Sequence, residues 1–478
     1  MNSNGFLAVV GVFVGCGSKL ATGISAPGDS GRDEAQPAAD ATPDVSVAGF
    51  DDAPADAPAV VAPSSACNTG APTSVSGKVY DPAGKNPVFN VTVYVPVGSL
   101  PPIGLGTAVC DPGAPRPTGL ICNSTLGAVA GTAITTTDAT GAFRIDGVPA
   151  GKNIPLVFQL GKWRREIVLP QIDPCTDYPV PAAMSRLPRN QGEGDIPQLA
   201  IVTGSCDRLA CLLDKVGLDP VEFTSPGAGG RVHVYQGAGQ APGLSDGGAG
   251  SCSEDAGACP LWSTKQALER YDGVLLGCEC GEHNETKPDK TPMHDWLDEG
   301  GRVLAVHYGS TWFRNGPSDF QSVATWNVAS DAGSPGPFQF DTTTPSGNAL
   351  RNWFTNLSVT AGQSLPLDPA NVSASVDAVA RLTDSWIYSG TAPPGQPSML
   401  SFATPVGGLP VAPDAAVGPA LYCGKVVFSD VHAGGQLPNS TPVLSGCVAG
   451  AMSPEEETLE YAFFSLWSTC DSAAQSKL

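Results

Sequence analysis

The chain has 478 residues, more than one ordinary domain holds. Its 57 glycines and 45 prolines, with only 15% charged residues, favour strand- and loop-rich architecture over helical bundles. Lys and Arg total 25 against 46 Asp and Glu, a net charge of -21 that repels phosphate backbones and excludes nucleic acid as a partner.

Taken in chain order, residues 1–16 come first. "GFLAVVGVFVGC" is an apolar run too short to span a bilayer and suited to the core of a signal peptide. Phe13-Val14-Gly15-Cys16 resembles a bacterial lipobox, although Phe13 replaces the usual Leu and no Lys or Arg precedes the run. The resemblance implies lipidation at Cys16, hence a membrane partner through a lipid anchor. Gly17 after the cysteine points to the outer membrane or cell surface; the other reading is a plainly secreted protein. Residues 17–66 read as a disordered Ala/Pro/Asp tether, exemplified by "AQPAADATPDVSVAGFDDAPADAPAVVAPSSA". Such a segment lacks the large apolar side chains needed to offset its ordering entropy.

Residues 67–175 predict a small β-sandwich. In "TSVSGKVYDP" Val75, Gly77 and Val79 share one face and Ser74, Ser76 and Lys78 the other. "VFNVTVYVPV" alternates again, and "AITTTDATGAFRIDGVPAGKNIPLVFQLGKWRREIVLP" reads as three further strands around two glycine turns. "SGKVYDPAGKNPVFNVTVYV" followed by "TTTDATGAFRIDGVPAG" resembles a carboxypeptidase regulatory-like domain, which implies a prealbumin-like sandwich without catalysis. "KWRRE" (162–166) reads as a solvated strand, or else as a contact for an acidic glycan or lipid headgroup.

From residue 195 to 470 apolar strands alternate with helices. "IPQLAIVTG", "RVHVYQ", "DGVLLGC", "RVLAVHYG" and "GKVVFSDVH" are the strands. "CDRLACLLDKVG", "LWSTKQALERY", "KTPMHDWLDEGG" and "SPEEETLEYAFFSLW" are the helices, the last with a Ser453 cap and Pro454 at its first position. Continuous apolar strands between helices indicate a parallel sheet covered on both faces, in a flavodoxin-like layout. The fold class is therefore multidomain: a prealbumin-like β-sandwich plus a flavodoxin-like α/β domain. Residues 310–420 read as an insertion near the site end of the sheet, with strand-like "VATWNVA" and "SWIYSG" and a helix at "GNALRNWFTNL".

Ligands in such sheets bind beyond the carboxyl ends of the strands. Thr203, Gly204, Cys278, Glu279, His307 and His432 are expected there. "DEGGRVLAVHYGS" and "CGKVVFSDVHAGG" resemble the two histidine-bearing strands of the trehalose-utilisation (ThuA-like) family, within the class I glutamine amidotransferase-like superfamily. The whole arrangement resembles secreted lipoproteins of myxobacterial type. In "GCECGEH" (277–283) the frame Gly277/Gly281 puts Glu279, not a cysteine, at the centre of a nucleophile-type turn. That frame predicts a carboxylate–histidine site of Glu279, His307 and His432, with Thr203, Gly204 and Cys278 lining the ligand. No cofactor is predicted; a zinc-type ion on Cys278, Cys280, His283, His307 and His432 is the metal alternative. The bland alternative pairs the turn's cysteines with Cys470 or other neighbours.

Fourteen cysteines without a CxxC pattern suit disulfides in an oxidising compartment. Closeness in sequence proposes Cys110/Cys122, Cys206/Cys211, Cys252/Cys259 and Cys423/Cys447, while Cys67 and Cys175 bracket the sandwich. Two functions follow. One is a cell-envelope lipoprotein that binds a carbohydrate or cell-wall ligand, or serves surface architecture. The other is a hydrolase or sugar-modifying enzyme working through the carboxylate–histidine site.

Overall fold

The computed structural model describes residues 67, 71–106, 131–238, 242–245, 247–248, 250–252, 258–328, 333–360, 362–393, 395–408, 424–434 and 442–467. The expectations for the signal segment, the Cys16 anchor, the tether, Cys110, Cys122, Cys423 and Cys470 lie outside these residues.

The first seven strands are β1 (Ser74–Lys78), β2 (Thr92–Pro96), β3 (Gly131–Thr136), β4 (Ala142–Asp146), β5 (Gly151–Leu160), β6 (Trp163–Ile172) and β7 (Asp177–Pro179). They form a three-stranded sheet, order β4-β1-β7, and a four-stranded sheet, order β3-β2-β5-β6. The alternation read from β1 holds: Val75 and Val79 are fully buried, and the Phe143 ring lies under Gly77. Phe143 meets Phe158 of the other sheet edge-on at 6.0 Å between centroids, so the two sheets share a core. The stretch read as three strands holds four. A two-residue hairpin at Gly161-Lys162 separates β5 from β6, with Gly161 at φ +56°, a conformation a side chain resists. Cys67 and Cys175 are bonded and tie the ends of this unit together.

The second half adds β8 (Leu199–Thr203), α1 (Leu209–Lys215), β9 (Phe223–Thr224), β10 (Val232–Gln236), β11 (Gly250–Ser251), α2 (Lys265–Leu268), β12 (Gly273–Leu276), α3 (Thr291–Asp298) and β13 (Arg302–Val306). These are followed by α4 (Thr311–Arg314), α5 (Ser318–Gln321), β14 (Ala324–Trp326), β15 (Phe338–Phe340), α6 (Pro345–Asn356), β16 (Ser364–Leu365), β17 (Val376–Val379), β18 (Asp384–Ser389), β19 (Gln396–Thr404), β20 (Gly424–Ser429) and α7 (Pro454–Ser465). β8, β12 and β13 are buried at every position, as unbroken apolar runs require when both faces are covered.

The main sheet runs β11-β10-β8-β12-β13-β20-β19-β18-β15-β16. Strands β10, β8, β12, β13 and β20 are parallel, and the chain reverses its direction of travel along the sheet between β8 and β12. The sheet is not parallel throughout. The segment read as an insertion supplies β15, β16, β18 and β19, which continue it antiparallel from the edge of β20. Its long loops still reach the site end, where Val372 bridges Val431.

The sandwich and the sheet are not separately cored. One buried cluster runs from Val75 and Phe158 through Leu199 and Ile201 to Phe463 and Trp467. Phe89 stacks on Tyr461 at 4.4 Å, and Trp163 meets Phe463 and Phe464 edge-on. Within the basic cluster at 162–166, Lys162, Trp163 and Arg164 are buried at this junction, while Arg165 is half-buried and Glu166 is exposed. Lys162 is buried in an ion pair with Asp272, and Arg164 pairs with Asp195 at 2.8 Å. The glycan or headgroup reading of that cluster is thereby excluded for Lys162, whose charge is already enclosed.

Candidate functional site at the carboxyl end of the parallel strands

Three parallel strands and one loop deliver the site. β8 ends in Thr203-Gly204, β12 in Gly277-Cys278, β13 in His307, and β20 leads through Asp430 to His432. The closest approach is at the reversal point. A Cβ on Gly204 would lie 1.8 Å from the Cys278 carbonyl oxygen, so only glycine fits there.

Cys278 is a buried thiol. Its Sγ lies 3.4 Å from His307 Nδ1, and the His307 and His432 rings are 5.1 Å apart between centroids. One donor atom from each of Cys278, His307 and His432 falls within 4.8 Å of the others. His307 is buried and His432 is partly exposed, so solvent reaches the cluster from the His432 side. The Nδ1–H of His432 donates to the Cys206 carbonyl at 3.1 Å, and its Nε2 lies 3.2 Å from the Ser373 hydroxyl. The donated proton fixes the tautomer and leaves Nε2 with the lone pair.

His307 sits at φ +46° between β13 and the helical turn that follows. This is a strand-to-helix elbow, with the histidine where a nucleophile would stand. The sequence carries its signature as Ala305-Val306-His307-Tyr308-Gly309, with Ala for the first glycine. The Gly309 position is tight, since a Cβ there would lie 3.0 Å from that of Ala305.

The expected elbow at 277–281 is not one. Glu279 is buried, its Oε2 is 2.6 Å from Lys287 Nζ, and its Oε1 accepts the Ala238 N–H at 2.7 Å. Lys287 is enclosed over the Trp262 ring and needs that counter-charge. The expected carboxylate–histidine trio is therefore corrected: the histidines meet the thiol of Cys278, while the Glu279 carboxylate is committed to Lys287. His283 turns to Glu285 and to the Glu279 carbonyl.

Cys280 is bonded to Cys206, not left as a ligand. β8 and β12 are hydrogen-bonded neighbours, so the loops at their carboxyl ends meet. Cys211, on α1, reaches Cys447 instead, and Cys252 pairs with Cys259. The expected Cys206/Cys211 and Cys423/Cys447 pairs are thus replaced, because spatial neighbours and not sequence neighbours decide.

Two carboxyl groups that sequence reasoning did not single out stand behind the cluster. Asp207 is buried, its Oδ1 accepts the Ala433 N–H at 3.4 Å, and burial pushes its carboxyl up to about 7. Asp430 is bonded by the Ser375 N–H and hydroxyl and is likewise pushed by burial to about 7. The only sequence signal for them was adjacency to Cys206 and to Val431-His432.

An adjoining pocket is lined by Thr203, Gly204, Asp207, Arg208, Pro242 and Val443. Thr203 donates its hydroxyl to the Pro242 carbonyl at 2.6 Å, so it fastens the pocket wall.

No protein-family model, curated protein or solved structure matches the chain. Among the described residues no helix is long and apolar enough to cross a membrane. The four disulfides among the described residues suit an oxidising compartment.

Proposed function

We propose that the protein is a cell-envelope binding protein that takes a small polar ligand, of carbohydrate class, beyond the carboxyl ends of its parallel strands. The observation that carries this reading is the convergence of Cys278, His307 and His432 from three strands, with His432 open to solvent. The strand order β10-β8-β12-β13-β20 supports a flavodoxin-like layout and, with it, the ThuA-like resemblance. Two sheets of three and four strands support the prealbumin-like, carboxypeptidase regulatory-like assignment of the sandwich. Lipidation at Cys16, the 17–66 tether and placement at the outer membrane complete the proposal, on the sequence alone.

Binding is favoured over catalysis because Cys278 has no exposed surface and Glu279 is turned to Lys287. A thermal-shift screen with soluble muropeptides, chitooligosaccharides and trehalose tests it. The expected result is stabilisation of the wild type by one class and none of the His432→Ala variant. No shift with any saccharide overturns the reading.

A second reading, acyl transfer, rests on the Cys278 Sγ to His307 Nδ1 distance of 3.4 Å. It expects an acetyl-enzyme burst with p-nitrophenyl acetate that disappears in Cys278→Ser.

A further inference from the structure

We propose that Cys278, His307 and His432 form a site for a divalent cation of the zinc class. This inference rests on the site reading above and names what the site takes first.

The donor set is one thiol and two imidazoles, the soft-to-borderline combination that selects zinc over magnesium or calcium. Ligand bonds of about 2.0–2.3 Å in a tetrahedron put donor atoms roughly 3.3–3.8 Å apart. Cys278 Sγ and His307 Nδ1 are already at 3.4 Å, and the whole set lies within 4.8 Å.

The surroundings hold these donors in place. The Cys206 carbonyl fixes the His432 tautomer, as the outer partners of metal-bound histidines do. The Cys206–Cys280 bond joins the two loops that carry this carbonyl and Cys278. His307 is kept in a left-handed backbone conformation, which persists where the surrounding structure over-determines it. Binding would displace the Cys278 thiol proton to solvent and leave a sulfur–metal bond. Three protein ligands leave a fourth position for water or for a hydroxyl of the saccharide.

The test uses the full chain, purified with its disulfides formed and dialysed against chelator. Cobalt(II) is titrated as the spectroscopic stand-in. The expected result is one equivalent bound, with a thiolate-to-cobalt charge-transfer band that zinc abolishes by competition. Cys278→Ser should lose that band. His432→Ala, at a partly exposed position and so expected to fold, should weaken cobalt binding by more than about tenfold, beyond the lower bound for outer-partner changes. Absence of the band in wild type, or equal affinity in His432→Ala, overturns the proposal. The two readings fail separately. A saccharide shift that survives chelation removes the metal and keeps the binding reading. Cobalt binding without any saccharide shift removes the binding reading and keeps the metal.

Discussion

Two groups of buried ionisable side chains among the described residues, one at the junction of sandwich and sheet and one at the site, are built differently. Between the sandwich and the sheet each group closes on a partner: Lys162 on Asp272, and Asp81 on Glu460. Beyond the carboxyl ends of β8, β12, β13 and β20 the donors face one another instead, thiol to imidazole and imidazole to imidazole. Buried polar groups in a structural junction are satisfied by partners, whereas a ligand site gathers donors around a shared space with an entrance. Cys278 and Glu279 are adjacent in sequence and fall on opposite sides of that distinction. Glu279 is neutralised by Lys287, and Cys278 is turned into the cluster.

The largest separation between the two regions should come from Lys162→Met. It leaves Asp272 buried without its counter-ion, and removing one partner of such a pair costs about 3–5 kcal/mol. Asp272 precedes β12 and Cys278 follows it, about 20 Å apart along an extended chain. Urea unfolding should therefore show the loss, while the folded fraction keeps wild-type cobalt affinity. Equal loss of both would mean that junction and site form one cooperative unit and that the contrast is mistaken.

A smaller effect separates the regions by pH. Asp81 is raised to about 6 and Glu460 is raised as well, both chiefly by burial; the Asp81 carboxyl accepts the Lys85 N–H and Glu460 accepts the Asn86 side-chain amide. Burial favours the protonated carboxyl in the folded state, whereas the unfolded chain releases that proton near 4. A raised carboxyl pKa means that the folded state binds more protons, so this stabilisation is full below about pH 4 and is lost as pH rises through about 6. Asp81→Asn puts an amide donor where the proton was. Its stability relative to wild type should therefore increase between about pH 4 and pH 7, by an amount of order 1–3 kcal/mol. Guanidinium unfolding across that range measures the difference, and a flat difference curve would show that the folded state holds no such proton.

Much of this was legible in the sequence, for identifiable reasons. β8, β12 and β13 announced themselves because strands buried on both faces are unbroken apolar runs between glycines. His307 and His432 were legible as polar residues ending such runs. The disulfide partners of Cys206 and Cys211 were not, because they depend on which loops the sheet brings together. Nor was the fate of Glu279, since a glycine frame resembles an elbow whether or not the backbone makes one. The left-handed residue after β12 is Cys280, one position past the glutamate. β18 was readable as a strand, but its place in the main sheet depends on the edge of β20 being open to β19, which local pattern does not encode.

The smallest informative change is Ser453→Ala at the start of α7. Ser453 accepts the Glu456 N–H, and Glu456 reaches back to the Ser453 N–H, closing a capping box. Loss of such a cap costs about 1 kcal/mol. Glu456 also accepts from Lys215 of α1, at 2.7 Å, and would keep that partner. α7 packs its Tyr461, Phe463 and Phe464 into the junction with the sandwich, while its own residues supply nothing to the cluster at Cys278. The expected outcome is a lower unfolding midpoint with cobalt affinity and saccharide shift unchanged. α1, however, carries Cys211 and follows the loop of Cys206, whose carbonyl orients His432. If affinity falls along with the midpoint, the path runs from α7 through the Lys215–Glu456 pair to that loop. The double variant Ser453→Ala/Lys215→Met would then lose no more affinity than Lys215→Met alone.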